Sequence, residues 1–201
     1  MDLLQRIYVG RRAELKRQIL QSALDCFIEY GLEATTIEMI RERANASVGA
    51  IYHHFKHKEG MITALYLAAL TDQANQRLEA LAQSQSIEQG IHAVILSYLT
   101  WVEQYPNFSR FLYASHFSIQ QKAELKTANQ QRNLQLLQWL EQQPDQAKIA
   151  IIPSELLLSL VIGPTESYCR AWLSGRVKSS PRHYATALAQ SAWDSLQHFQ
   201  A

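Results

Sequence analysis

Residues 35–59, TTIEMIRERANASVGAIYHHFKHKE, constrain the fold more than any other stretch, because they encode two short helices with almost no room between them. Thr35 and Glu38 have the S/T-x-x-E spacing of a capping box, in which side chain and backbone satisfy each other's orphan groups at a helix start. Ile37, Ile40 and Ala44 follow at helical spacing and give one apolar face. Asn45 tolerates the left-handed conformation that ends helices, and Ala46 is small enough to tuck inside a turn. Ser47 is then a natural N-cap for a second helix whose inward face is Ile51 and Phe55. Val48, Gly49, Ala50, Tyr52 and His53 point outward. Two helices joined this tightly are a helix-turn-helix, the geometry that lays the second helix in the major groove of DNA.

The outward face has the chemistry a groove requires. Gly49 and Ala50 allow close approach, Val48 and Ala50 offer apolar contact to thymine methyls, and His53 reaches toward a base edge or a phosphate. Tyr52 and Lys58 bring a hydroxyl and a charge for the DNA backbone, contacts that position a protein without reading sequence. The plainer alternative is that Tyr52 and His53 only cover the surface of a helical bundle. His53 and His57 also have the i, i+4 spacing of a zinc pair, but Glu59 lies past the break before the next helix and makes no clear third ligand. No metal or other cofactor is expected.

With those residues in view, residues 11–60 resemble the DNA-binding domain of the TetR family of bacterial transcriptional regulators. The stretch RAELKRQILQSALDCFIEYGLEATTIEMIRERANASVGAIYHHFKHKEGMI follows that pattern. Ile19, Ala23 and Phe27 form the core of a first helix closed by Tyr30-Gly31. Thr35-Thr36 open the second helix, Ile51-Tyr52-His53-His54-Phe55 close the recognition helix, and Lys56 and Lys58-Glu59 lead into a fourth. The resemblance implies that Thr36, Tyr52 and Lys58 lie at the phosphates, that Ser47, Val48, Gly49, Ala50 and His53 face the bases, and that Thr35 belongs to the same DNA-binding set. The chain departs from the pattern at Asn45, where a turn glycine is usual, at Val48, which replaces a commonly polar residue, and at Gly60, which replaces a helix former.

Composition agrees with an all-α chain. Its 201 residues are 47% hydrophobic, enough for one or two cores without disulfides or metals, and no strand-like alternation occurs. The formal net charge of +1 makes any nucleic-acid footprint local, gathered at Arg11, Arg12, Lys16, Arg17, Lys56 and Lys58. Cys26 and Cys169 lack C-x-x-C spacing and read as buried thiols of a reducing cytoplasm. No secretory signal or bilayer-length apolar run is present, so no membrane is expected. Residues 1–10 read either as an arginine-bearing arm over a minor groove or as a tail in water.

Two domains are expected: residues 1–60, with the motif near 36–55, and residues 61–201, a larger helical bundle, with about nine helices in all. Trp101, Tyr105, Phe108, Phe111, Tyr113, His116 and Phe117 fall in one short stretch of the second region. They either fill a core or wall a small-molecule pocket with a few polar tips, to which Glu166 and Arg170 would add charge. The resemblance favours the pocket, holding a largely apolar small-molecule inducer. Pro164 is expected to kink the helix from Ser154. Gly163, Ala171, Ala185, Ala189, Ala192, Trp193 and Leu196 on the last two helices are the expected interface of a homodimer, set against a well-packed monomer. A dimer would bind a pseudo-palindromic operator on double-stranded DNA. The reading is a repressor released by a ligand; the alternative is a regulator controlled by a protein or peptide. No catalytic motif points to an enzyme.

Overall fold

In the computed structural model of the chain, residues 2–119 and 123–197 are described. Ten α-helices occur among them, with three 3-10 turns and no strand. The all-α expectation holds, and the helix beyond the expected nine is α1, Leu3–Ile7. It corrects both readings of the N-terminus. Leu3 and Leu4 are fully buried, and Arg6 donates from Nε and Nη2 to the two carboxylate oxygens of Asp72, each at 2.8 Å. Burying two leucines outweighs the entropy of ordering so short a helix only because the packing comes with it.

The helices fall into two compact units whose boundary differs from the expected break at residue 60. The first contains residues 1–72 and 107–129, the second residues 73–106 and 130–201. In the first unit α1 is followed by α2 (Glu14–Tyr30), α3 (Ile37–Ala44) and α4 (Val48–Phe55). Then comes α5 (Lys58–Leu81), which runs on into the second unit. Ile19, Ala23 and Phe27 turn one face of α2 inward, and the Phe27 ring stacks on Phe111 at 5.8 Å. Phe111 belongs to α7 (Pro106–Ile119), which begins at Pro106 because proline is tolerated in the first turn of a helix.

The second unit holds the end of α5, α6 (Ile87–Gln104), most of α8 (Ala123–Glu141), α9 (Ser154–Leu173) and α10 (Ala185–Gln197). Ser86 caps α6 by accepting from the Gln89 N–H at 3.3 Å. α9 is continuous through Pro164, although position 164 has no N–H to return to the preceding turn. α10 packs against both α6 and α9.

Within this unit, Gly90 of α6 makes room for the Trp139 indole of α8: a Cβ at position 90 would stand 2.0 Å from its ring. Beside that contact is a cavity of about 30 Å³ whose walls include Leu81, Ile91, Leu136, Trp139, Leu157 and Leu196, with no polar side chain in its lining. No described helix is long and apolar enough to cross a membrane.

Candidate nucleic-acid interface

The helix-turn-helix is built from two caps and a left-handed turn. Thr36 ends the loop before α3 and accepts from the Met39 N–H at 3.3 Å, so the cap is Thr36 and not Thr35. Asn45 closes α3 at φ 46°, ψ 42°, in the left-handed region expected of it. Ala46 is buried in the turn, and Ser47 caps α4 by accepting from the Ala50 N–H at 3.1 Å. Ile40 and Ala44 of α3 and Ile51 and Phe55 of α4 form the buried seat. Opposite that seat, Ser47, Gly49 and His53 are exposed, Ala50 is half-buried, and Val48 and Tyr52 are 46% and 52% exposed. An alanine-sized side chain at position 49 would meet nothing closer than Ser47 Oγ at 3.9 Å, so this face has no steric wall.

Two residues expected in the DNA-binding set are used elsewhere. Thr35 is 1% exposed, and its hydroxyl donates to the carbonyls of Gly31 (2.7 Å) and Cys26 (3.1 Å), pinning the loop to the end of α2. A buried donor already satisfied has no reach to a DNA backbone. Lys58 Nζ donates to the carbonyls of Leu32, Glu33 and Thr35 at 2.8, 3.1 and 2.9 Å. An ammonium has three N–H donors, and all three are spent on holding that loop. Lys58 is a positioning residue here. Thr36 remains exposed and keeps its place at the rim.

Lys56, at the end of α4, faces solvent. It stands at φ 62°, ψ −45°, and the His57 N–H donates to the Phe55 carbonyl at 2.7 Å across it. That is a three-residue turn of the strained hand, stored directly after the outward-facing helix. Gly60 makes the turn possible: a Cβ there would lie 2.1 Å from the Phe55 carbonyl oxygen. The departure at Gly60 is therefore a close approach of backbone to backbone.

Arg41 is paired with Glu38 and Glu42, and Arg43 with Glu29, so neither is a free charge. Arg17 Nη1 donates to the Tyr8 and Gly10 carbonyls and fastens the segment carrying exposed Arg11 and Arg12. Lys16 lies over the Tyr8 ring at 4.2 Å. Burial, aided by repulsion from His53 and Lys16, pushes the His54 imidazole below its ordinary range. Among the described residues no group of three metal-binding side chains occurs.

Comparison with known proteins meets this geometry at the same place. A family model described as bacterial regulatory proteins, tetR family, matches residues 19–65. The match covers the seat, the turn, α4 and the strained joint. Over these residues the chain is similar to the TetR-family DNA-binding domain. Among similar proteins, the HTH-type transcriptional repressor AcnR of Corynebacterium diphtheriae is 36% identical over 73 residues, 36% of each chain. The HTH-type transcriptional regulator BetI of Escherichia coli is 33% identical over 90 residues, 43% of this chain and 46% of BetI. These matches span less than half the length of either relative.

Solved structures extend the likeness of fold to nearly the whole chain. A TetR family transcription regulator from Marinobacter aquaeolei superposes with TM-score 0.78 at 19% identity, over 92% of this chain and 96% of that one. The fatty acid degradation regulator FadR from Bacillus halodurans superposes with TM-score 0.74 at 14% identity, over 92% and 100%. The fold is thus that of TetR regulators.

The residues expected to line a pocket are divided between the units. Phe108 and Phe111 are core side chains of the first unit, where His116 Nδ1 also stands 3.2 Å from the Tyr66 hydroxyl, and Tyr113 belongs to the same unit. Trp101 and Tyr105 belong to the second, with rings 5.5 Å apart. The side chain of Phe117 lies outside the described part of the structure. Glu166 and Arg170 pair with each other at 3.9 Å on a half-exposed helix face. None of them is among the walls of the cavity in the second unit, which are aliphatic apart from Trp139. One tryptophan in the Gln- and Leu-rich run of α8 was the only sequence signal for that site.

The expected dimer residues also separate. Ala189, Ala192, Trp193 and Leu196 are at most 4% exposed in the single chain, because the apolar stripe of α10 faces inward, toward α6 and α9. They are core residues and leave no surface for a second copy. Gly163, Ala171 and Ala185 remain partly exposed. A shallow concavity between Tyr168 of α9 and Tyr184, Ala187 and Leu188 extends that surface.

Proposed function

We propose that the protein is a sequence-specific DNA-binding transcriptional regulator, a repressor that leaves its operator when a small molecule occupies the second unit. The observation that carries this reading is the face of α4. Ser47, Val48, Gly49, Tyr52 and His53 are held outward on a capped, fully seated helix, with Lys56 at its end. Gly49 and Val48 would face bases, while Thr36, Tyr52 and Lys56 would meet phosphates. Arg11 and Arg12 would add charge from the fastened N-terminal segment. The names of the matched relatives, repressors and regulators, support the same reading.

Two such heads on a twofold dimer would read half-sites of a pseudo-palindrome. The surface formed by Gly163, Ala171, Ala187 and the α9–α10 concavity is the proposed contact. An apolar cavity inside the second unit supports a small molecule over a protein partner as the controlling ligand. Such a ligand shifts the DNA equilibrium only by its difference in affinity for the two conformations.

Selection of bound DNA from a random library at physiological salt tests the proposal. Enrichment of a palindromic site is the expected result. Salt-sensitive binding without enrichment would refute a sequence-specific reader.

A further inference from the structure

The loop that follows α1 is fastened from three directions, yet its two outermost charges face only water. Arg17 Nη1 donates to the Tyr8 carbonyl at 2.6 Å and to the Gly10 carbonyl at 2.9 Å. The Tyr8 hydroxyl donates to the Ala64 carbonyl of α5 at 3.3 Å, and Arg6 ties α1 to Asp72. Past these anchors the chain turns outward. Val9 is 80% exposed, an apolar side chain that the core does not claim, and Arg11 and Arg12 are both exposed. Among the described residues neither of these two arginine side chains has an ion pair or a hydrogen bond.

The loop stands beside the end of the outward-facing helix. Lys16 Nζ lies 4.2 Å from the centre of the Tyr8 ring and 5.9 Å from that of Phe55, so one ammonium spans the base of the loop and the last turn of α4. Exposed Lys56 follows Phe55 directly. From Val9 to Arg17 the sequence has four cations and one carboxylate, Glu14. In a chain of net charge +1, that concentrates positive potential next to α4. Gly10 sets the course of the loop at φ 88°, ψ 167°, a region that only glycine enters without strain. No atom lies within 4 Å of where its Cβ would be, so the position requires the backbone angle and not the room.

Ordering an exposed loop costs entropy and adds nothing to the core when its side chains stay in water. What this loop does is hold two guanidinium forks in one place, with their freedom already reduced before any phosphate arrives. We infer that the loop from Val9 to Arg12 is a second DNA contact: a fixed saddle on the sugar-phosphate backbone next to the groove that α4 enters, where Arg11 and Arg12 donate to phosphate oxygens. The inference rests on the DNA-reading role of α4 and adds a contact outside the helix-turn-helix, one that sets register and reads no sequence. Gly10 and Arg17 are its positioning residues.

The test uses the full chain and two duplexes of equal length, the selected site and one of random sequence, with affinity measured across a range of salt. Arg11→Gln combined with Arg12→Gln should weaken binding to both duplexes by the same factor, about tenfold or more, and lower the salt slope by about 2 per head. The melting temperature should not move, because both side chains are exposed and unpaired among the described residues. Gly10→Ala removes no charge. It should nonetheless weaken binding to both duplexes, and in its background the two arginine substitutions should cost far less affinity than in the unmodified protein.

Unchanged affinity in the doubly substituted protein would overturn the contact. A full, additive loss in the Gly10→Ala background would mean diffuse attraction and overturn the fixed saddle. A loss confined to the selected duplex would overturn the phosphate assignment. Failure of the α4 reading is visible separately, as equal binding of both duplexes by the unmodified protein, and the arginine effect is then still read on either one.

Discussion

At the scale of single residues, the two amino acids that matter most to the α4 joint work in opposite senses. Lys56 supplies charge at a strained φ of 62°, and Lys58 supplies order by bonding three carbonyls. Lys56→Gly should raise stability by about 1 kcal/mol, since glycine accepts that conformation freely, and yet weaken DNA binding. Thermal melting and a salt titration of operator affinity would separate the two effects, with the slope falling by about 1 per head. Lys58→Met should do the reverse, costing about 1–3 kcal/mol through three bereft carbonyls. A Lys58→Met protein of unchanged stability would return that residue to the phosphates.

His54 gives a pH dependence with a definite sign. Its folded-state pKa is lowered by burial, so the folded protein disfavours the proton that the unfolded chain accepts. The stability tied to neutral His54 is present above about pH 6.5 and is lost as pH falls through the lowered folded value. His54→Gln should therefore flatten the decline in melting temperature between neutral and mildly acidic buffer.

At the scale of helices, legibility followed the locality of the signal. The ends of α3 and α4 were readable because Asn45 and Ser47 act on their own backbone within a few residues. The cap itself slipped by one, from Thr35 to Thr36, because the burial of Thr35 depends on the Cys26 and Gly31 carbonyls, which no local pattern encodes. α1 was missed for the same reason. Five residues carry no helical period of their own, and their stability comes from leucines and an ion pair whose partner is 66 residues away.

Arg6→Ala should cost about 2–3 kcal/mol by leaving the Asp72 carboxylate, 3% exposed, without its fork. Chemical denaturation would measure it, and a change under about 0.5 kcal/mol would demote the pair to an ordinary surface bridge. The apolar stripe of α10 was legible as a stripe, but periodicity states only that a face is buried and not against what. The inward packing of Trp193 decides that question.

At the scale of the whole molecule, the two surfaces proposed to act together can be separated by mutation. Trp193→Asp should unfold the second unit, since it places an unpaired charge in a core position 4% exposed. Ala187→Glu, on the exposed side of the same helix, should leave the fold intact and yield monomers by sedimentation. Those monomers should lose operator affinity far more than half, because each head alone forfeits the effective concentration its twin provides. A folded dimer carrying Ala187→Glu would move the contact elsewhere.

The near-neutral charge of the chain, +1, fits a molecule whose attraction for DNA is confined to one face. The aromatic run from Trp101 to Phe117 is ambiguous in the sequence. Aromatic side chains satisfy a core and a pocket equally well, so their spacing alone does not distinguish the two.

The backbone approach at Gly60 also has a genetic reading. Every single-base missense change in a glycine codon installs a side chain with a Cβ, and at position 60 that atom would fall 2.1 Å from the Phe55 carbonyl oxygen. Nothing stands within 4 Å of the corresponding atom at Gly163. In a saturation library scored for repression, codon 60 should be blank in every column, while codon 163 should fill with folded variants that fail only where two chains meet. The same amino acid, read by the same genetic code, would thus report a clash inside one chain at one position and an assembly surface at the other.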